Sequence, residues 1–316
     1  MPLLRYIASH VLMSIVTLLV VATLVFFATA VLPGDVATRM LGRNPDPAQL
    51  ELVRQRLGLD MSLPMRFLDW LAGLARGDFG VSLVSGQPVT EIVMRAFWNS
   101  CILAAFVLLL YVPLAVIPAM IQAVRADSPA DNLLSGVSLA VQSLPDFLIA
   151  TFLLLIFVKW FPVLPARSTI DDAMGAWETL RALVLPGVTI ALVMATYATR
   201  FLRDSLIDVL NSDYIRMARL NGLSERSILW RHALPNALVP AMNVTSLSLT
   251  YLFGGVVVVE QVFAFPGFGQ LLVGALLQLD IPIIQATVLL ASAVYIVGNL
   301  AVDLLTLVVS PRLRVR

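Results

Sequence analysis

The sequence predicts an all-α, polytopic membrane protein with six transmembrane helices. Residues are 59% hydrophobic and only 13% charged, whereas water-soluble domains carry about a quarter charged residues. Six apolar runs are long enough to cross a hydrocarbon core about 30 Å thick, which takes roughly 20 helical residues. Basic residues gather in one loop between two of these runs and at the C-terminal tail. Because backbone groups in lipid must pair within their own segment, the runs read as helices.

The spans lie near 9–31, 98–124, 133–158, 183–203, 237–262 and 283–309, forming a single transmembrane domain over 1–316. The first ends in Ala28-Thr29-Ala30, which looks like a signal-peptidase site. Its apolar run exceeds a usual signal-peptide core, so an uncleaved first span is expected. Pro113 and Pro118 fall in the second span, Pro145 in the third, Pro186 beside Gly187 in the fourth and Pro240 in the fifth. Each removes a backbone donor and is expected to bend its helix. Packing irregularity and a cavity opened between helices are both consistent with that set.

Orientation follows from arginine placement. The loop 204–236 contains Arg216, Arg219, Arg226 and Arg231, with Arg200 and Arg203 just inside the fourth span. The loop 263–282 has no Lys or Arg, and the tail adds Arg312, Arg314 and Arg316. Loop 204–236 and both termini are therefore expected on the cytoplasmic side. The long outer loop 32–97 has seven arginines and seven acids, and loops of that length weigh little in orientation. Loop 159–182 places Lys159, Arg167 and Arg181 outside, offset by Asp171, Asp172 and Glu178.

A net charge of +1 gives no reason to expect nucleic acid. The single Cys101 and the distant His10 and His232 offer no metal cage, and no H-E-x-x-H occurs. Lys159 is the only lysine and no G-x-x-x-x-G-K-[ST] loop exists, so any ATP is bound by another polypeptide.

Residues 214–235, "YIRMARLNGLSERSILWRHALP", interrupt the apolar pattern with two short helices. Ser212 or Asp213 suits the first N-cap, and Gly222 sits where a left-handed terminator belongs. Ser224 suits the second N-cap, with Glu225 at the positive helix start and Leu223 and Ile228 as a hydrophobic staple; Pro235 is expected to end this helix. Tyr214, Met217 and Ala218 share one face while Arg216 and Arg219 point elsewhere; Ile228, Leu229 and His232 continue a partly apolar face. Such a face covers either lipid headgroups or a groove in a partner protein.

The spacing of Ala218, Gly222 and Leu234-Pro235 resembles the EAA loop of ATP-binding-cassette (ABC) importer permeases, E-A-A, three residues, G, nine residues, I-x-L-P. Aligned on Gly222, Arg216 stands for the glutamate and His232 for the isoleucine. The whole stretch is similar to the form found in the dipeptide/oligopeptide/nickel permease family. So are "LPGD" (32–35), "LGLD" (57–60), "GDFG" (77–80), "VVEQVFAFPGFGQLL" (258–272) and "VDLLTLVVSPRLR" (302–314). The resemblance implies a type I ABC importer permease of the bacterial inner membrane. It pairs with a second, usually different six-span permease, the pair docks on two ATP-binding subunits with the coupling helices 213–233 of this chain on one of them, and solute comes from an extracytoplasmic binding protein. ATP and Mg would then sit on the partner ATPase, with no cofactor and no catalytic residue in this chain.

Acids inside spans are functional candidates by default. Asp146, beside Pro145, is a candidate for the translocation path with Gln142 and Ser143; Asp303 reads as a structural partner to a neighbouring helix. Asn243, Ser246 and Thr250 share a face of the fifth span, and Thr196, Tyr197 and Thr199 make a polar patch on the fourth. Helix–helix bonding and path lining are the two readings of such groups. Phe265, Pro266, Gly267 and Phe268, before an apolar stretch of about ten residues, are candidates for contact with the binding protein. An ion-coupled secondary transporter using Asp146 and Asp303 is the alternative function. An intramembrane aspartyl protease would need a G-x-G-D-like signature that neither acid has.

Overall fold

The computed structural model describes residues 2–31, 46, 48, 49, 51, 60–171, 173–238 and 256–309, the backbone alone at 2–9 and 301–309. The elements are α1 (Pro2–Ala30), α2 (Leu63–Ala75), α3 (Val89–Val124), α4 (Pro129–Ser143), α5 (Asp146–Leu154) and α6 (Ala176–Leu210). They continue with α7 (Asp213–Leu220), α8 (Glu225–Ser227), α9 (Val257–Val262), α10 (Phe268–Gln278) and α11 (Ile281–Val309). Wide π-helical turns extend α5 over Leu155–Trp160 and α8 over Ile228–Ala233. Among the described residues the one pairing of extended backbone is a bridge between Val81 and Pro88.

Among the described residues four stretches are long and apolar enough to cross a membrane: His10–Ala30, Val89–Val124, Ala176–Leu210 and Ile281–Leu300. The expected third span is two helices, α4 and α5, bent by 104°. Most of the expected fifth span, 239–255 with Pro240, lies outside the described residues. Two helices run beyond the spans expected within them. The helix holding the expected span 98–124 begins at Val89, and the one holding 183–203 runs from Ala176 to Leu210. Polar first turns carry both beyond their apolar cores; in α6 Glu178 Oε2 accepts from the Gly175 amide at 3.3 Å.

The prolines act unequally. Pro113 and Pro118 lie inside α3 and Pro186 inside α6 without ending either helix. Pro118 cannot donate to the Leu114 carbonyl, and the Thr199 hydroxyl from α6 donates there instead at 3.5 Å, shared with Ala115 O at 3.2 Å. A neighbouring helix thus supplies what the proline removes. At Pro145 the helix does break: Leu144 is extended (φ −94°, ψ 134°), the conformation a following proline favours.

The chain divides into two compact units. One comprises 1–98 with 270–296. Within it the rings of Phe26, Phe27, Phe67 and Trp70 pack together, with centroids 5.2–6.2 Å apart. Asp280, 2% exposed, accepts from Ser82 Oγ at 2.5 Å and the Leu83 amide at 3.2 Å, tying the turn after "GDFG" to the start of α11.

The other unit comprises 99–269 with 297–316 and is organised on α6. In the most apolar window of α6, 78% of residues are buried, against 22% for α3. This makes α6 the central post of its unit. Leu103, Val107, Tyr111, Ala150, Leu185, Ile190, Met194, Val259 and Phe263 form the core around it. Gly187 allows α3 to approach, since a Cβ there would lie 2.5 Å from the Phe106 ring.

Toward its C-terminal end α6 is clamped to α4. Arg203 donates from Nε to Asp131 Oδ1 at 2.8 Å and from a terminal nitrogen to Oδ2 at 2.6 Å. Asp131 is 2% exposed, and the Asp127 amide at 3.0 Å and Ser135 hydroxyl at 3.4 Å also donate to it. A fork-shaped pair with its remaining lone pairs satisfied is the geometry in which buried charges offset their desolvation. Removing one partner strands the other. Asp131→Ala is expected to cost about 3 kcal/mol, the low end for a broken buried pair because Arg203 keeps Asp204 as a neighbour. Thermal unfolding in detergent should show a clear drop; an unchanged midpoint would mean the clamp contributes nothing.

Candidate functional site

The two short helices form an elbow directly after α6. Ser212 has the extended backbone of an N-cap, but its hydroxyl bonds back to Val209 O at 2.5 Å rather than capping α7. At the other end Gly222 takes φ +78°. Its amide donates to Arg219 O at 2.9 Å, and the Leu223 amide donates to Ala218 O at 3.2 Å. Those two bonds are the Schellman pattern, which satisfies the last carbonyls of a helix and requires a left-handed residue. Ser224 then caps α8, accepting from the Ser227 amide at 3.4 Å. Across the turn Arg219 grips Glu225 through both carboxylate oxygens, at 2.8 and 3.3 Å. The carboxylate beside it holds the Arg219 guanidinium above its ordinary pKa. Both side chains are largely exposed, so the pair fixes an angle more than it adds stability.

The elbow's inner face is set by α6. Ile215, Ala218 and Ile228 are buried together against Val209 and Leu210. A second cluster packs Ala233, Leu234 and Ala237 on Leu202 and Leu206 of α6 and on Ala119, Met120 and Ala123 of α3. This corrects the expected face of Tyr214, Met217 and Ala218. Ala218 turns inward with Ile215, while Tyr214, Met217 and Leu220 are 46%, 58% and 77% exposed. Leu223 is 40% exposed and Ile228 fully buried. Arg216 stands in solvent, 3.9 Å from Asp213.

Pro235 does not end the second helix, which continues over 234–238. The π-helical turn over Ile228–Ala233 precedes it, and a widened turn relieves the clash of a proline ring with an earlier carbonyl. His232, half-buried, offers its carbonyl to Asn236 Nδ2 at 2.7 Å and to the Tyr214 hydroxyl at 3.3 Å, which ties the second helix back to the first.

Of the described path candidates, one lines a cavity. Gln142 lines a cavity of about 290 Å³ with Gln122, Ser135, Ser138, Arg200 and Asp204 among its walls. Ser143 is exposed and bonded to its own helix at Leu139 O. Asp146 opens α5 half-buried, and Tyr197 is 48% exposed, neither of them lining that cavity. Asn243, Ser246 and Thr250 lie outside the described residues, and Asp303 is placed in α11 by backbone alone.

The segment 263–269 is turned inward. Phe263 and Phe265 are fully buried and Phe268 is 7% exposed, leaving Pro266 half-buried. Its organiser is Glu260, 2% exposed, which the reading of intramembrane acids overlooked although it falls in the expected fifth span. Ser100 Oγ donates to its Oε1 at 2.9 Å and the Gly269 amide to its Oε2 at 2.7 Å. The Phe268 amide donates to Ser100 Oγ at 2.8 Å, and Asn99 Nδ2 donates to Pro266 O at 2.9 Å. Among the described residues no group of three His, Cys, Asp or Glu is placed to hold a metal ion.

Comparison with known proteins decides what such an elbow belongs to. The profile of the binding-protein-dependent transport system inner membrane component family matches residues 111–315, and the N-terminal profile of such membrane components matches 3–104. The chain belongs to this family. It is 35% identical over 315 residues to the glutathione transport system permease protein of Shigella flexneri, and 37% identical over 321 residues to that of Pectobacterium atrosepticum. Each alignment covers 99% of both chains. A putative peptide transport system permease protein of Brucella abortus is 35% identical over 311 residues, 98% of each chain. The protein is thus the permease subunit of an ABC importer, a membrane component without catalytic machinery of its own.

Within the permease the Glu260 turn makes a sharp prediction. A Cβ on Gly267 would lie 2.1 Å from Glu260 Oε1, whereas one on Gly274 meets nothing within 4 Å. Gly267→Ala should therefore lower the unfolding temperature in detergent. Gly274→Ala, in a helix interior, should leave it unchanged or raise it slightly. Equal behaviour of the two would contradict the role given to Glu260.

Proposed function

We propose that this permease imports peptide-like solutes by a type I mechanism in which the elbow around Gly222 is the coupling-helix (EAA) loop that docks on an ATPase subunit. The observation that carries the reading is the exposed apolar flank of Tyr214, Met217 and Leu220, on an elbow whose other side is fastened to α6. A short helix with one face fixed to the bundle and a second apolar face in water is shaped for a protein groove. In this reading the chain has six spans with both termini cytoplasmic, and the arginines of 200–231 lie on the side where the ATPase works. It pairs with a second permease chain, usually a different one, and with two ATP-binding subunits that hold ATP and Mg. An extracytoplasmic binding protein delivers the solute; of the turn 265–268, Phe265, Gly267 and Phe268 are buried, which leaves Pro266 to meet it.

Glutathione and peptides are what the relatives are named for, which supports a peptide-like cargo. The ion-coupled alternative through Asp146 and Asp303 is set aside, since it gives a capped, fastened elbow nothing to do. Closure of the ATPase pair would push the elbow, and α6 with the Asp131 clamp would pass the displacement to α4 as rigid-body rocking.

The turn supplies the test. A β-branched residue at φ +78° is strained, at a cost of about 1–2 kcal/mol, although nothing blocks its Cβ in space. In vesicles reconstituted with the full transporter, Gly222→Val is expected to leave ATP hydrolysis running while solute uptake falls at least tenfold. Undiminished uptake by that variant would contradict docking through the elbow.

A further inference from the structure

We propose that the cavity between α3, α4 and α6 is a binding site, at the elbow end of the bundle, for the backbone of a small zwitterionic peptide. It rests on the peptide-import reading given above and assigns to it a place and a set of contacts. Every residue of the cavity belongs to one compact unit, so its shape is that of a single body.

Two residues of its wall each carry a buried polar atom without a partner, which a guest would meet once the side chain turns toward it. Gln122 is 2% exposed. Its Nε2 is spent on Ser135 Oγ at 2.9 Å and Asp131 O at 3.4 Å, while Oε1 accepts from nothing. Gln142 lines the same cavity, and its Nε2, also buried, donates to nothing. Buried polar atoms without partners are rare and costly, and each marks a group awaiting its complement. One is an acceptor awaiting an N–H, the other a donor awaiting a carbonyl.

The charges complete the pattern. Arg203 is fully committed to Asp131 and Asp204, so it shapes the wall and binds no guest. Arg200 also lines the cavity and, among the described residues, forms no ion pair. A guanidinium fork is suited to a carboxylate. Asp204 gives only Oδ1 to Arg203, at 3.0 Å, and its second oxygen is open to an ammonium group. Cation, anion, lone donor and lone acceptor together match the carboxylate, ammonium, C=O and N–H of a short peptide. The volume, about 290 Å³, lies at the lower edge of small-molecule sites, roughly 300–1,000 Å³. Its walls touch the backbone groups shared by all peptides, so this site would hold cargo without selecting side chains.

The test uses the complete transporter without its binding protein, purified in detergent, with alanyl-alanine as probe. The dipeptide should raise the unfolding temperature, and the same dipeptide acetylated at one end and amidated at the other should not. Arg200→Gln should weaken the effect of alanyl-alanine at least tenfold in concentration, Arg200→Lys should restore part of it, and Gln142→Leu should weaken it independently. Because Arg200 is exposed, its variants are expected to match wild type in unliganded unfolding temperature, which checks that they fold. No protection of wild type by the zwitterion, equal protection by the blocked dipeptide, or an Arg200→Gln curve superimposed on wild type would each overturn the assignment. Protection by inorganic phosphate matching that of the dipeptide would overturn it too, reducing the cavity to an anion site. ATP-driven dipeptide uptake by wild type in vesicles is read separately: failure there strikes the import reading, and failure of the binding arm with uptake intact strikes only the cavity.

Discussion

Hydrocarbon offers no hydrogen bonds, and the architecture follows from that constraint. Each polar backbone group must be satisfied by the chain itself, so interruptions in the helices are permitted only where something covers them. At Pro118 the cover is a hydroxyl from α6. At Gly222, on the polar elbow, it is the pair of bonds that closes α7. Helix α6 recurs in these solutions because it is the most enclosed of the described long helices. It reaches α3 through Thr199, α4 through Arg203 and the elbow through Val209 and Leu210.

That continuity gives the elbow its mechanical meaning. The elbow's stability does not come from the Arg219–Glu225 pair, which is exposed and worth little on its own. It comes from two apolar clusters that seat both short helices on the end of α6. What the ion pair and the glycine turn supply is a fixed angle. In the proposed reading, force applied to the outer flank passes inward along α6, across a clamp buried at Asp131, and into α3 through the second cluster.

Local features were legible in the sequence. Gly222 and Ser224 act within a few residues of themselves, and both do in the structure what their residue types predict. Apolar length likewise located the long helices, because burying a backbone in lipid takes a set number of residues. Two local expectations failed, the Ser212 cap, whose hydroxyl turns back to Val209 O, and the stop at Pro235, which follows a widened turn; the other failures needed distant partners. Whether Ala218 or Tyr214 faces inward depends on α6, not on spacing within α7. Pro113, Pro118 and Pro186 look like Pro145 in sequence, and only packing distinguishes a tolerated proline from a break. Asp131 sits in "SPADN", a helix start, and the sequence does not reveal its arginine 72 residues away. Glu260 was visible as an acid in an apolar run, and its bond to Ser100 explains why it is tolerated there.

The central claim is that the elbow and α6 move as one lever. It is tested most directly by the distance between spin labels at Leu220 and Phe201, both more than half exposed, in the assembled transporter with Cys101 replaced. A distance unchanged between nucleotide-free and ATP-trapped states, while label pairs from Leu220 to the partner permease shift, is the predicted result. An internal change of several ångströms between Leu220 and Phe201 would mean that the elbow hinges freely, and would contradict the account.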